Sequence, residues 1–157
     1  MSMSAAYLVR GPAEERNGMD WVPESSRRAR AVPVYATLRA LGRRGVRELI
    51  TRCCALATRM ADRLRGRSGI TILNDVVLNQ VLVRFDHGDA DLTSAVVAGV
   101  QRDGVCWVGG TTWRGTPAMR ISVSGWCTRD DDIDRSAESI VSALNQAVAA
   151  REGTIVA

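Results

Sequence analysis

The spacing of apolar residues changes from three-and-four to two at the turn Arg65-Gly66-Arg67-Ser68-Gly69, and no other feature constrains the fold as strongly. Before that turn, Val34, Leu38 and Leu41, then Leu49, Cys53, Leu56, Met60 and Leu64, form a helical stripe with arginines on the wet side. Gly42 and Gly45 break or kink it, so the spacing predicts a short helix over 33–41 and a longer one over 45–65. After the turn, the runs Ile70–Leu73 and Val76–Phe85 are β-branched and alternate, which predicts strands. A helix follows, with Asp89 or Asp91 as its cap, a shared face of Leu92, Ala95, Val96, Gly99 and Val100, and a stop at Asp103-Gly104. Two further strands are expected at Val105–Val108 and Ala118–Ser124, joined through residues 109–117 as a hairpin or long turn. The last helix carries Ile133, Ala137, Ile140, Val141, Leu144, Ala147 and Val148 on one stripe, with Thr128 and Asp130 to Asp132 placed to cap it and complement its dipole. Short turns between strands and one intervening helix imply an α+β domain, a mainly antiparallel sheet with helices over one face.

Composition narrows the chemistry. The 157 residues contain 21 basic side chains, all arginine, so no side-chain amine is present to act as nucleophile, general base or phosphate-loop cation. The net charge is +4, but 17 acidic residues are interleaved with the arginines and no basic block forms, which argues against a nucleic-acid-binding surface. The apolar fraction of 46% suits one domain with a real core. Cys53, Cys54, Cys106 and Cys127 show no zinc spacing and read as core residues of a reducing compartment. With no secretory leader pattern and no apolar run of membrane-spanning length, the expected location is cytoplasmic.

The candidate sites each have an ordinary reading. His87, the single histidine, lies among Asp86, Asp89 and Asp91 between a strand and a helix cap, where a solvated turn explains it better than catalysis. Asp130 to Asp134 lacks the glycine and terminal glutamate of a calcium loop, so no metal is expected there. Gly109-Gly110-Thr111-Thr112 has no helix after it to complete a phosphate cradle. Arg120 is different: Met119, Ile121 and Val123 should face the core while Arg120, Ser122 and Ser124 face away on the same strand. A guanidinium on a rigid strand suits a two-point grip on a carboxylate, and an ordinary surface arginine fits the pattern equally well.

Tyr7-Leu8, Trp21-Val22-Pro23, the stretch SRRAR from Ser26, LRALGRRGVRELI from Leu38, and Ala118-Met119-Arg120-Ile121-Ser122-Val123 together resemble the carboxy-terminal part of pyridoxal-phosphate-dependent group II amino-acid decarboxylases. The resemblance follows one order over nearly the whole chain. It implies a fold-type I enzyme's small carboxy-terminal domain, with residues 1–32 as a remnant of the large domain and its mobile loop, and 33–157 as linking helices plus the small domain. It implies that Tyr7 donates a proton to the carbanionic intermediate, where the alternative is a hydrophobic anchor beside Leu8. Ser26 stands where the family approaches the cofactor phosphate, and a helix-entry cap explains it too. Arg120 matches the arginine that holds the substrate carboxylate. The family's Schiff-base lysine, ring-stacking histidine and pyridine-paired aspartate have no counterpart, so the chain resembles a fragment, inactive alone and dependent on a dimer partner, homologous or different. The rival readings are a non-catalytic partner subunit, a degenerate product, and an arginine-rich nucleic-acid-binding module.

Overall fold

The computed structural model describes residues 29–85 and 88–155. Its elements run α1 (Ala31–Leu64), β1 (Ile70–Ile72), β2 (Gln80–Phe85), α2 (Ala90–Asp103), β3 (Gly109–Trp113), β4 (Thr116–Ser122) and α3 (Asp130–Ile155), an α+β arrangement. The chain divides into two compact units, residues 1–42 and 43–157. The boundary falls inside α1, where Gly42 leaves helical geometry with φ 60° and ψ −175°. Glycine takes that positive φ without the Cβ clash other residues meet. Gly45 stays helical, so of the two glycines expected to interrupt the stripe only Gly42 does.

Within the first unit, Val34, Tyr35, Leu38 and Leu41 are exposed. In the second unit, the rest of α1 buries Cys53, Leu56, Ala57, Met60, Ala61 and Leu64. This stripe meets Val81, Val83 and Phe85 of β2, Met119 and Ile121 of β4, Val96 and Val100 of α2, and Ile133, Ala137, Ile140 and Leu144 of α3 in one core. Burying such side chains fully contributes roughly 1.5–3 kcal/mol each, which is why the alternating strands and three-four helices settle with these faces together.

The sheet is antiparallel throughout, in the order β1-β2-β4-β3. Two expected strands are corrected. The run from Val76 joins the sheet only at Gln80, where the Asn74 side chain lies along the edge of β2, its amide oxygen accepting from the Leu82 N–H at 2.8 Å and its NH2 donating to the Gln80 carbonyl at 3.1 Å. Val105–Val108 is a linker rather than a strand, with Val108 buried and its carbonyl accepting from the Gln101 side chain at 2.8 Å. The strand instead occupies Gly109–Trp113, inside the segment expected to be the connection, and the hairpin turn is only Arg114-Gly115. Both turn residues have positive φ, 49° and 79°. That is the turn whose twist matches antiparallel strands, and it sets the register that pairs Trp113 with Thr116 and Gly109 with Arg120.

The helix ends follow from their acids. Asp89 caps α2, accepting from the Leu92 N–H at 2.8 Å, and Gly104 closes the helix in the left-handed region at φ 75°. Asp132 reaches back to accept from the Arg129 N–H at 3.0 Å at the start of α3. No helix among the described residues is long and apolar enough to cross a membrane.

Candidate functional site

Strand β4 sorts its side chains as alternation requires: Met119 and Ile121 are buried under the helices, and Arg120 and Ser122 are exposed on the opposite face of the sheet. Cross-strand pairing sets Leu82 of β2 and Gly109 of β3 on either side of Arg120. Leu82 is buried on this face, supplying an apolar floor beside the guanidinium, while Gly109 has no side chain to crowd it. The same alternation puts Thr71, Gln80 and Arg84 on this open face, and no strand residue is acidic. The Arg120 side chain has no hydrogen-bond or ion-pair partner among the described residues.

Arginines on the helical side contrast with it. Arg59 and Arg63 both pair with Asp134 through two forked hydrogen bonds, at 2.8 and 2.7 Å and at 2.9 and 2.6 Å. The hydrogen bonds from Arg59 and then Arg63 hold the Asp134 carboxyl well below the usual carboxylate range. Arg151 of α3 grips Asp89 at 2.6 and 3.1 Å, and this pairing, with the capping bond from Leu92, lowers the Asp89 pKa to about 2. These pairs fasten helix to helix, whereas the Arg120 guanidinium has no such partner among the described residues.

Among the other candidates, the aspartates after Thr128 act within the helical layer. Asp132 caps α3, Asp134 joins α3 to α1, and Asp130 lies 3.4 Å from Arg59. Gly109-Gly110-Thr111-Thr112 is strand β3 and precedes a turn and another strand, not a helix. Cys106 is half-buried, and burial pushes its thiol pKa up, away from the reactive range. Tyr7, Ser26 and His87 lie outside the described residues. A groove of about 380 Å³ lined by Arg63, Arg67, Asp134 and Glu138 belongs to the helices and does not include Arg120. Sequence reading passed over Arg84, although the alternation Leu82, Arg84 against Val81, Val83, Phe85 places it on the same sheet face as Arg120.

No family model and no curated protein matches the sequence. Solved structures do match by shape. The glutamate decarboxylase domain of diaminobutyrate-pyruvate transaminase and L-2,4-diaminobutyrate decarboxylase from Vibrio parahaemolyticus superposes with a TM-score of 0.62 at 20% identity, over 74% of this chain and 26% of that one. Tryptophan decarboxylase of Catharanthus roseus, in complex with L-tryptophan, gives 0.68 at 16% identity, over 82% of this chain and 28% of the other. Oryza sativa TDC with PLP gives 0.69 at 17% identity, over 83% and 30%. The chain therefore spans less than a third of the length of these proteins, and its α+β fold is the fold of the part of those decarboxylase chains on which it superposes.

Proposed function

We propose that the chain is the small-domain portion of a pyridoxal-phosphate-dependent amino-acid decarboxylase, and that Arg120 holds the carboxylate of the amino-acid substrate. The observation that carries this reading is an exposed strand arginine with no counter-ion among the described residues, beside an apolar floor and a glycine, in a fold shared with decarboxylase chains. A planar guanidinium offers two parallel N–H donors to one carboxylate, which fixes its orientation as well as its position. Orientation matters for decarboxylation, because the bond to the lost carboxylate must stand where its electrons can be accepted. In this reading Tyr7 supplies the proton that replaces the departing carboxylate, and Ser26 lies near the cofactor phosphate. Residues 1–32 are the large-domain remnant with its loop, and residues 33–157 are the linking helices and small domain.

The residues of this chain do not fit covalent attachment of pyridoxal phosphate. That attachment requires a lysine, and the chain has none. The cofactor-anchoring half then belongs to polypeptide outside these residues, and no cofactor step is assigned to the residues described. The decisive experiment is affinity capture from the native cells through α3, followed by intact-mass analysis and assay of carbon dioxide release from amino acids with added cofactor. The reading expects release only when a lysine-bearing polypeptide is present. It further expects Arg120→Ala in that assembly to raise KM roughly a hundredfold, as loss of a charge-assisted two-point contact implies. Decarboxylation by the isolated chain, or an unchanged KM in the variant, would overturn it.

A further inference from the structure

Strand β3 stands at one edge of the sheet and β1 at the other. Sheet edges carry unpaired backbone groups, and folds blunt them with short strands, charge, proline or a bulge. β1 is blunted by its length of three residues. β3, Gly109-Gly110-Thr111-Thr112-Trp113, has five residues, carries neither charge nor proline, and pairs with β4 residue for residue without a bulge. The parity of that pairing decides which groups face outward. The Val123 N–H donates to the Asn79 carbonyl at 2.9 Å, so in the alternating antiparallel ladder Ile121 and Met119 bond toward β2, and Arg120 and Ala118 bond toward β3. Pro117, which has no N–H, accordingly sits opposite Thr112 at a non-bonded position. Gly109, Thr111 and Trp113 therefore bond to β4, whereas Gly110 and Thr112 aim their N–H and C=O groups away from the sheet. Both of these residues are exposed, and neither has a further hydrogen bond among the described residues.

These outward groups are complementary to themselves. An antiparallel copy related by a two-fold axis at Thr111 sets Gly110 opposite Thr112 of the second copy, and Thr112 opposite its Gly110. Each such pair exchanges N–H···O=C bonds in both directions. Thr111 then faces Thr111 across the axis, at the closer spacing where threonine pairs stabilise a sheet. Trp113, 40% exposed, falls opposite Gly109 of the second copy. A Cβ at Gly109 would meet nothing within 4 Å, so the indole finds room over that glycine. An unrelated strand could satisfy the same backbone groups, but only a second copy supplies a tryptophan for each glycine and a glycine for each tryptophan. We propose that β3 is a self-association edge, through which two copies of this chain pair antiparallel at Gly110 and Thr112, with Thr111 on the two-fold axis, and join their sheets into one. The pairing does not depend on the assignment of Arg120.

The test is sedimentation velocity of the full chain from roughly 5 to 500 μM, the range in which a small, transient interface dissociates. The native chain should pass from monomer to dimer over that range. Thr112→Pro removes an outward N–H that the ladder to β4 does not use, so it should raise the dimer dissociation constant roughly tenfold or more. Thr111→Lys and Thr111→Glu set like charges face to face on the axis, and each alone should raise the constant roughly fivefold or more. An equimolar mixture of those two variants should dimerise at least as well as the native chain, because opposite charges then meet. Circular dichroism reports whether each variant folds, and the folded ones decide. A native chain that stays monomeric, or dimerisation unchanged by a folded Thr112→Pro, would overturn the edge pairing. Thr111 variants that dimerise like the native chain, or a mixture that does not recover, would overturn the axis at Thr111.

Discussion

Asp134 is the most heavily engaged carboxylate of the described chain, gripped by Arg59 and Arg63 across the α1–α3 contact. Its folded pKa is depressed below the ordinary 3.8, as is that of Asp89, whose value falls to about 2 beside Arg151. A depressed carboxylate pKa means that the unfolded chain binds protons more readily, so these groups stabilise the fold above about pH 4. That contribution fades as pH falls from 4 through 2 and below. The urea midpoint of the native chain should therefore drop steeply over that range, and Asp134→Asn should lower the midpoint at pH 7 while flattening the acid limb. An acid limb unchanged in slope would show that the two arginines do not depend on Asp134. Arg120→Ala should leave the urea midpoint unchanged at any pH, because its side chain holds no partner among the described residues. The described arginines thus divide by neighbour: those facing acids on helices stabilise, and Arg120 on the sheet face meets no acid among the described residues.

At the scale of elements, the close approach of α2 to α3 depends on small residues. A Cβ placed on Gly99 would lie 3.1 Å from that of Ala143, tighter than ordinary contact. Gly99→Leu should cost about 1–3 kcal/mol by overpacking, measured by chemical denaturation, whereas an isolated exposed helix glycine would gain from the same change. Phe85 is fully buried at the end of β2, and Phe85→Ala should cost about 3–5 kcal/mol. The β3–β4 turn offers the opposite sign. Arg114 holds φ 49° in a turn that suits asparagine and glycine, so Arg114→Asn should add about 0.5 kcal/mol despite removing the contact of its guanidinium with Trp113. Arginine at that position explains why residues 109–117 resisted a correct reading from sequence: the turn lacks the usual asparagine-glycine signal, and its two leading glycines are in the strand.

At the scale of the whole molecule, burial along the described part of α1 begins at Cys53, and the compact second unit begins at Arg43. A chain starting at Arg43 should therefore keep a single cooperative unfolding transition, as a denaturant titration would report. The order of elements, the helical stripe through Leu64, the cap at Asp89 and the outward aspect of Arg120 were all determined by the sequence itself. They depend on local periodicity and local capping, which residues a few positions apart decide. Tertiary structure alone decided the rest. Asn74 replaces a ladder bond with its side chain, Asp134 meets two arginines more than seventy residues away, and the pairing of Leu82 with Arg120 sets Arg84 on the same sheet face as Arg120. These meetings join residues far apart in sequence and are set by sheet register and core packing. No local pattern carries that information.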